Sequence, residues 1–311
     1  MSRVLHSSEL VLTVSQRTDF DFAPYERFVQ QLTAGGGEQQ RDALELAARY
    51  LLGGRYANLL EMAADNWDRS DALKAYLPRE LYLERQQLGQ FLAASIDHAT
   101  GTGKSYIIFG AAVLALASGQ VDRVLVLAPS RTIEDGLTRK FTELAANRAL
   151  MDLLPPEASL RAPTVVNAYE GSVPNGAICV ENIHAAYEGS LSSIRDSFRG
   201  AGERTLVIND EAHHCYRRKP AVTEDPLTGL KGEDKAEAAR RDEEARVWIS
   251  GLEAVANKIG VKTVYDLSAT PFFLKGSGYP EGTLFPWVVS DFSLIDAIEA
   301  GLVKIPRVPV E

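Results

Sequence analysis

The sequence predicts a doubly wound α/β fold, in which helices cover a parallel β-sheet. Two observations predict it. Short apolar runs alternate along the chain with longer segments of helical period, which is typical of strands joined by crossover helices. The runs are apolar at nearly every position, as expected for strands that are buried on both faces. They occupy residues 91–96, 123–128, 163–168, 176–180, 204–208 and 262–267.

The composition limits the class of protein. The chain has 311 residues, of which 45% are hydrophobic and 24% are charged. No segment approaches the ~20 consecutive apolar residues of a membrane span, and the first residues lack the apolar core of a signal peptide. Cys179 and Cys215 are too few for a disulfide framework, which suits a reducing compartment. We therefore expect a soluble, cytoplasmic protein with no membrane partner.

The chain is predicted to divide into three regions. Residues 1–75 form a mostly helical accessory region, residues 76–304 form the α/β domain, and the proline-spaced residues 305–311 begin a linker. In the accessory region, segments of helical period lie at 25–32, 39–54 and 57–67. They carry no pattern of catalytic chemistry, so we expect a packing or partner-facing role for this region.

The stretch HATGTGKSY, at 98–106, follows the first predicted strand. Ligands of parallel α/β folds bind at the carboxyl ends of the strands, where glycines let main-chain amides surround anionic oxygens at a helix start. Lys104 would neutralise terminal phosphates, and the Ser105 hydroxyl would bind Mg²⁺. His98 stands where the phosphate-loop pattern has glycine, so a plain glycine turn before a helix is the alternative. The predicted nucleotide contacts are Thr100, Gly101, Thr102, Gly103, Lys104, Ser105 and Tyr106.

The fifth predicted strand leads into the stretch NDEAHHC. Asp210 and Glu211 would have different tasks: one acid would hold Mg²⁺ through its water shell, and the other would orient or deprotonate the attacking water. Taken alone, an acidic surface turn is an equally good interpretation. We do not interpret His213, His214 and Cys215 as a zinc site, because the chain offers no second ligand pair at a suitable spacing.

Hydroxyl groups follow the last predicted strand, in the stretch YDLSATPFF. Ser268 and Thr270 come directly after the strand and before a proline that ends it. Their hydroxyls could bond to the acidic cluster and respond to the presence of a γ-phosphate. As an isolated turn, this stretch would carry little information.

Two further strand ends are candidates for nucleic-acid contacts. The second predicted strand ends in Ser130 and Arg131, and a helix is predicted to start at Thr132, so free amides and a guanidinium would suit strand phosphates. Asn182 follows the fourth strand and would face the same groove. The net charge is −9, so such a contact would depend on a local groove rather than on overall charge. Helix capping beside a solvated arginine is the alternative.

Four motifs therefore stand in order along the chain: ATGTGKS, APSR, NDEAHH and LSATP. This order resembles the first RecA-like domain of superfamily 2 DEAD/DEAH-type helicases and translocases, as motifs I, Ia, II and III. Longer segments resemble the restriction subunit of type III restriction-modification systems and related phage-defence helicases. These segments are YLLGGRYANL, DHATGTGKSY, VDRVLVLAPSRTIEDGLTRKF, ICVENIHAAYE, GERTLVINDEAHH and LIDAIEAGLVKIPRVPV.

The resemblance implies a P-loop RecA-like fold that binds ATP and Mg²⁺ and couples hydrolysis to movement on DNA. It implies that Ser105 and Asp210 hold the Mg²⁺ and that Glu211 activates the attacking water. It implies that Ser130 and Arg131 touch the phosphates of a DNA strand. The residues it implies in catalysis and in its coupling to DNA are Lys104, Asp210, Glu211, His213, Ser268 and Thr270. Such proteins often read adenine with a glutamine upstream of the phosphate loop. Gln86 and Gln87 lie in that region without the usual aromatic neighbour, so adenine recognition stays unassigned.

The resemblance also implies a second RecA-like domain, a nuclease domain and a methyltransferase subunit as partners. Because no signature of the first two follows in this sequence, we expect an N-terminal fragment of a longer enzyme, with weak or no hydrolysis alone. The alternatives are a non-enzymatic interaction module with a vestigial motor site, another P-loop NTPase, and RNA in place of DNA. The intact Lys104, Asp210 and Glu211 disfavour the vestigial site.

Overall fold

A parallel β-sheet forms the centre of the protein. The computed structural model describes residues 20–34, 37–167, 172–183, 198, 204–215, 260–270, 272–273 and 283–303. Within these residues seven strands run parallel in the order β3-β4-β2-β5-β6-β1-β7. The strands are β1 (Leu92–His98), β2 (Arg123–Ala128), β3 (Thr164–Val166), β4 (Ala177–Asn182), β5 (Thr205–Asp210), β6 (Thr263–Ser268) and β7 (Val288–Phe292).

The predicted fold class is confirmed, and one strand is additional. All six predicted runs form strands, and every residue of β1, β4, β5 and β6 is buried. The edge strand β7 was not predicted, because Ser290 and Asp291 interrupt a short apolar run that follows Pro286. It pairs with β1, and the main chain of Ala99 donates to the Phe292 carbonyl at 3.0 Å.

Five α-helices precede β1 in the described part of the chain, and further helices lie between the strands and after β7. None of the helices in the described part of the chain is long and apolar enough to cross a membrane. The helices are α1 (Glu26–Leu32), α2 (Glu38–Leu52), α3 (Leu59–Arg69), α4 (Asp71–Tyr76), α5 (Arg79–Glu84), α6 (Lys104–Ala117), α7 (Arg131–Ala146), α8 (Arg148–Met151) and α9 (Leu294–Glu299).

The N-terminal helices share the core of the sheet. Buried residues of α1 and α2 belong to the same hydrophobic cluster as the strands, and Tyr50 donates its hydroxyl to the Ala93 carbonyl of β1 at 2.6 Å. Gly110 of α6 lets α2 approach, since a Cβ there would lie 2.8 Å from Leu44 Cδ1. The described part of the predicted accessory region is mostly helical, and its packing continues into the α/β domain.

The start of α7 differs from the predicted Thr132. The helix begins at Arg131, and Ser130 is its N-cap, accepting a hydrogen bond from the Ile133 amide at 3.4 Å. Serine is favoured at this position because its hydroxyl satisfies an amide that has no partner within the helix.

The strand order places three strand ends side by side. Strand β6 lies between β1 and β5, and Ser268 at its end pairs in register with Asp97 of β1. The phosphate-loop sequence follows β1 and the acidic stretch follows β5, so both flank the end of β6. Parallel strands put all their carboxyl ends at one edge, which is where ligands bind in such sheets.

A buried carboxylate links the strands below this edge. Asp266 of β6 is fully buried and accepts hydrogen bonds from Asn209 Nδ2 of β5 at 2.8 Å and from Trp287 Nε1 at 2.9 Å. Trp287 directly precedes β7 and stacks on Phe285 with 4.8 Å between ring centroids. A buried carboxylate needs such donors, because without them its desolvation would destabilise the fold.

Replacing Trp287 by Phe should therefore destabilise the protein by about 1–3 kcal/mol, because it removes a donor from a buried carboxylate. Urea unfolding followed by circular dichroism measures this. The matched control is Trp67→Phe, which removes an indole N–H that bonds to the Leu77 carbonyl at a half-buried position. Equal losses in the two variants would contradict the special role of the Asp266 contact.

Candidate functional site

The loop between β1 and α6 has the backbone of a phosphate cradle. Gly101 and Gly103 have φ angles of +83° and +91°, a region that side chains with a Cβ rarely adopt. The Thr102 amide donates to the Ala99 carbonyl at 3.3 Å, which closes the turn before α6 begins at Lys104. The loop therefore ends at a helix N-terminus, where amides and the helix dipole favour an anion.

His98, at the position where the phosphate-loop pattern has glycine, is a buried core residue. Its ring lies 5.3 Å from the Phe292 ring of β7, and it is completely inaccessible to solvent. Burial lowers the pKa of His98 to about 4, so the ring is neutral at pH 7. It anchors the start of the loop to the edge strand.

Lys104 and Glu211 meet directly across the end of β6. Lys104 Nζ lies 2.9 Å from Glu211 Oε1, although the contact lacks the geometry of a hydrogen bond. The Lys104 side chain is only 11% exposed. Glu211 has a φ of 53°, the only positive φ of a residue other than glycine among those described. A strained backbone at a strand end is typical of functional positions.

Asp210 is the buried member of the acidic pair. Burial and then the charge of Glu211 raise the pKa of Asp210 to about 6, and the Glu211 amide donates to Asp210 Oδ1 at 3.1 Å. A buried carboxylate with a raised pKa would be stabilised in its ionised form by a cation.

Asp210 and Ser105 fit a magnesium ion as partial ligands. Both offer oxygen atoms, which Mg²⁺ prefers, and Mg²⁺ takes its remaining ligands from phosphates and water. In the described part of the chain, no cluster of three or more His, Cys, Asp or Glu side chains could hold a metal. The residues therefore suit a metal that arrives with a phosphate ligand.

Contacts continue from Glu211 to the SAT stretch. His213 Nδ1 lies 3.5 Å from Glu211 Oε2 and 3.0 Å from Ser268 Oγ. Ser268 Oγ also accepts a hydrogen bond from the Thr270 amide at 3.0 Å. The structure thus brings these predicted residues together, with Thr270 contributing its main chain to this contact.

Lys140 is a site residue that sequence reasoning missed. It lies on α7, donates to Ser105 Oγ at 2.6 Å and places its Nζ 3.5 Å from the centre of the Tyr106 ring. Burial lowers the pKa of Lys140. The only sequence signal is that Lys140 directly precedes Phe141, which is fully buried, and so lies beside the inward stripe of the helix.

Gln40 of α2 is a second missed residue. Its Nε2 donates to the Thr102 carbonyl across 62 residues of sequence, and a Cβ on Gly103 would collide with this amide group. Gln40 Oε1 is buried and has no hydrogen-bond partner in the described part of the chain. Of the upstream glutamines considered from sequence, Gln86 instead donates to the Tyr82 carbonyl at 3.1 Å.

A cleft of about 520 Å³ opens beside Gln40 and the phosphate loop. Its polar lining comes from the loop and from two glutamines, and its apolar lining from the ends of several helices. Among its lining residues are Gln31, Gln40, Tyr106, Leu144, Leu150 and Leu302. The cleft is therefore large enough and mixed enough in polarity for a planar organic group next to the phosphate cradle.

The candidate nucleic-acid residues lie at neighbouring strand ends. Ser130 and Arg131 follow β2, and Asn182 ends β4, where it pairs in register with Ala128. Arg131 is exposed, whereas Asn182 is only 8% exposed. Ser130 uses its hydroxyl to cap α7. The three residues share one edge of the sheet, and any role in binding nucleic acid is still a prediction.

The sequence matches one family model. The family described as "Type III restriction enzyme, res subunit" matches residues 63–273, which is about two thirds of the chain. The match spans the phosphate loop, the acidic pair and the SAT stretch. No curated protein matches the chain.

The raised pKa of Asp210 predicts a dependence of stability on pH. Because the pKa rises on folding from 3.8 to about 6, this group favours folding at low pH, and that contribution is lost as pH rises through about 6. Relative to Asp210→Asn, the wild type should lose about 1 kcal/mol of unfolding free energy between pH 5 and pH 7.5. Urea titrations at both pH values test this.

Asp152→Asn, at an exposed position, is the control for the loss of a surface carboxylate. If the difference between wild type and Asp210→Asn stays constant over this pH range, Asp210 does not titrate as its burial requires.

Proposed function

Because the chain belongs to the family of type III restriction enzyme res subunits, we propose that it binds ATP with Mg²⁺ and hydrolyses it to drive movement on DNA. The family is one of first RecA-like domains of superfamily 2 helicases, so the chain is an ATP-binding, helicase-like module. The observation that carries the proposal is the contact between Lys104 and Glu211, which joins the phosphate loop to the acidic pair at the end of β5.

The contact also suggests an order of events. In the structure Lys104 neutralises Glu211. A triphosphate in the glycine loop offers Lys104 stronger negative charge, so the ammonium moves to the phosphates and Glu211 is freed to accept a proton from water. Asp210 and Ser105 would hold magnesium, which neutralises charge on the phosphate oxygens.

The residues beyond Glu211 connect hydrolysis to the rest of the motor. His213 touches both Glu211 and Ser268, and Ser268 touches the Thr270 main chain. A change in the position of Glu211 would therefore shift His213 and, through it, Ser268 at the end of β6. We assign these residues to coupling rather than to the chemical step.

DNA is the proposed track, contacted by Ser130, Arg131 and Asn182 at neighbouring strand ends. Arg131 is the exposed charged residue of the three and the strongest candidate for a phosphate contact. The proposed parent enzyme supplies a second RecA-like domain and a nuclease domain, and a methyltransferase subunit is its proposed partner. Arginine side chains from that second domain would complete the catalytic site.

Gln40 is proposed to select adenine. Gln40 lines the cleft beside the phosphate loop, and its buried Oε1 has no donor among the residues that the structure describes. The exocyclic amine of adenine is a donor that would satisfy it, whereas the carbonyl at the same position of guanine would repel it.

Nucleotide binding tests the proposal through Lys104. The 311-residue chain should bind Mg²⁺-ATP in a calorimetric titration, and Lys104→Ala should weaken binding at least about tenfold because a charge-assisted phosphate contact is lost. Lys74→Ala, which removes a lysine from α4 away from the loop, is the control. Unchanged binding in Lys104→Ala would refute the proposal.

Base selectivity tests the role of Gln40. Gln40→Ala should weaken ATP binding and bring the ratio of ATP to GTP affinity close to one, because the acceptor that distinguishes them is removed. Competition titrations with both nucleotides measure the ratio. Gln30→Ala, on the exposed side of α1, is the control. An equal loss of affinity for both nucleotides would contradict a role of Gln40 in base selection and would show that it only supports the loop through its bond to Thr102.

A further inference from the structure

A second lysine, Lys140, contacts Ser105 next to the phosphate loop, and it has no role in the proposed chemistry. Lys140 of α7 donates to Ser105 Oγ at 2.6 Å. Its ammonium also lies 3.5 Å from the centre of the Tyr106 ring, within the range of a cation–π contact. Two consecutive residues of α6 therefore hold one ammonium group.

The charge of Lys140 is not paired with a carboxylate in the described part of the chain. Within the residues that the structure describes, no carboxylate lies within ion-pair distance of Lys140. The position of the ammonium is therefore determined by a hydroxyl oxygen and an aromatic face. Both partners are neutral and weaker than a carboxylate, so the ammonium can leave them at modest cost in free energy.

We propose that Lys140 occupies the magnesium side of Ser105 before nucleotide binds and has to release the hydroxyl when the metal arrives. This inference rests on the proposed nucleotide function. A hydroxyl oxygen has two lone pairs, and Lys140 takes one of them. A divalent cation on the same oxygen would lie a few ångströms from the ammonium, and two positive charges at that distance in a partly buried site repel strongly.

Tyr106 provides the place to which the ammonium moves. The ring face lies against the Lys140 head, so the side chain can slide over it and keep the cation–π contact after leaving Ser105. Lys140 is thus a positioning residue for Ser105, and it competes with the metal without touching the reacting atoms.

The test measures how much Mg²⁺ the protein needs to bind nucleotide. A fluorescent, non-hydrolysable ATP analogue is titrated into the 311-residue chain in EDTA and at a series of Mg²⁺ concentrations. Lys140→Met removes the ammonium and keeps the apolar stem on Tyr106. Lys140→Gln is a second neutral variant of similar length. Arg139→Met removes a positive charge from an exposed neighbour on the same helix and is the matched control.

Both Lys140 variants should reach half-maximal binding at an Mg²⁺ concentration about fivefold lower than the wild type, because the metal no longer displaces a cation. Affinity in EDTA should change by less than about twofold, and Arg139→Met should behave as the wild type. An unchanged or higher Mg²⁺ requirement in a folded Lys140 variant would overturn the inference and leave the proposed function standing. Absence of binding by the wild type at every Mg²⁺ concentration would overturn the proposed function and this inference with it.

Discussion

The order of the strands is the constraint on which the site depends. With β6 between β1 and β5, a loop after β1 and an acidic pair after β5 both reach the same small volume above Ser268. The loop and the acidic pair are about 100 residues apart in sequence, so only the strand order brings them together. The buried Asp266 supports this order, because its two oxygens accept donors from β5 and from the segment before β7. A polar group that is satisfied only in one strand arrangement favours that arrangement over its competitors.

Two lysines of the protein contact the groups at the strand ends. Lys104 neutralises Glu211, and Lys140 holds the hydroxyl of Ser105, so two cations stand where a metal and a triphosphate would act. Asp210 is buried beside the charge of Glu211, and both effects raise its pKa. Under the proposed function, the free energy of nucleotide binding would include the exchange of these internal contacts for external ones, so the affinity would also depend on Glu211 and Lys140.

Much of the fold could be predicted from sequence because buried parallel strands are nearly uniform in hydrophobicity, which reveals them as runs. Strand β7 could not be predicted in this way, because Ser290 and Asp291 break its apolar run. The loop and the acids of the candidate site could be found from the rule that ligands bind at strand ends. Gln40 and Lys140 could not, since their contacts with Thr102 and Ser105 span 62 and 35 residues and depend on how helices pack.

The hydrogen bond from Gln40 to the Thr102 carbonyl joins α2 to the phosphate-loop sequence, and residues of α1 and α2 line the cleft beside it. An exchange of the first 75 residues would thus also replace three residues that line the cleft, namely Gln31, Leu32 and Gln40. Shortened versions of the protein that begin at the α/β domain would retain the four motifs and lose the Gln31, Leu32 and Gln40 side of this cleft.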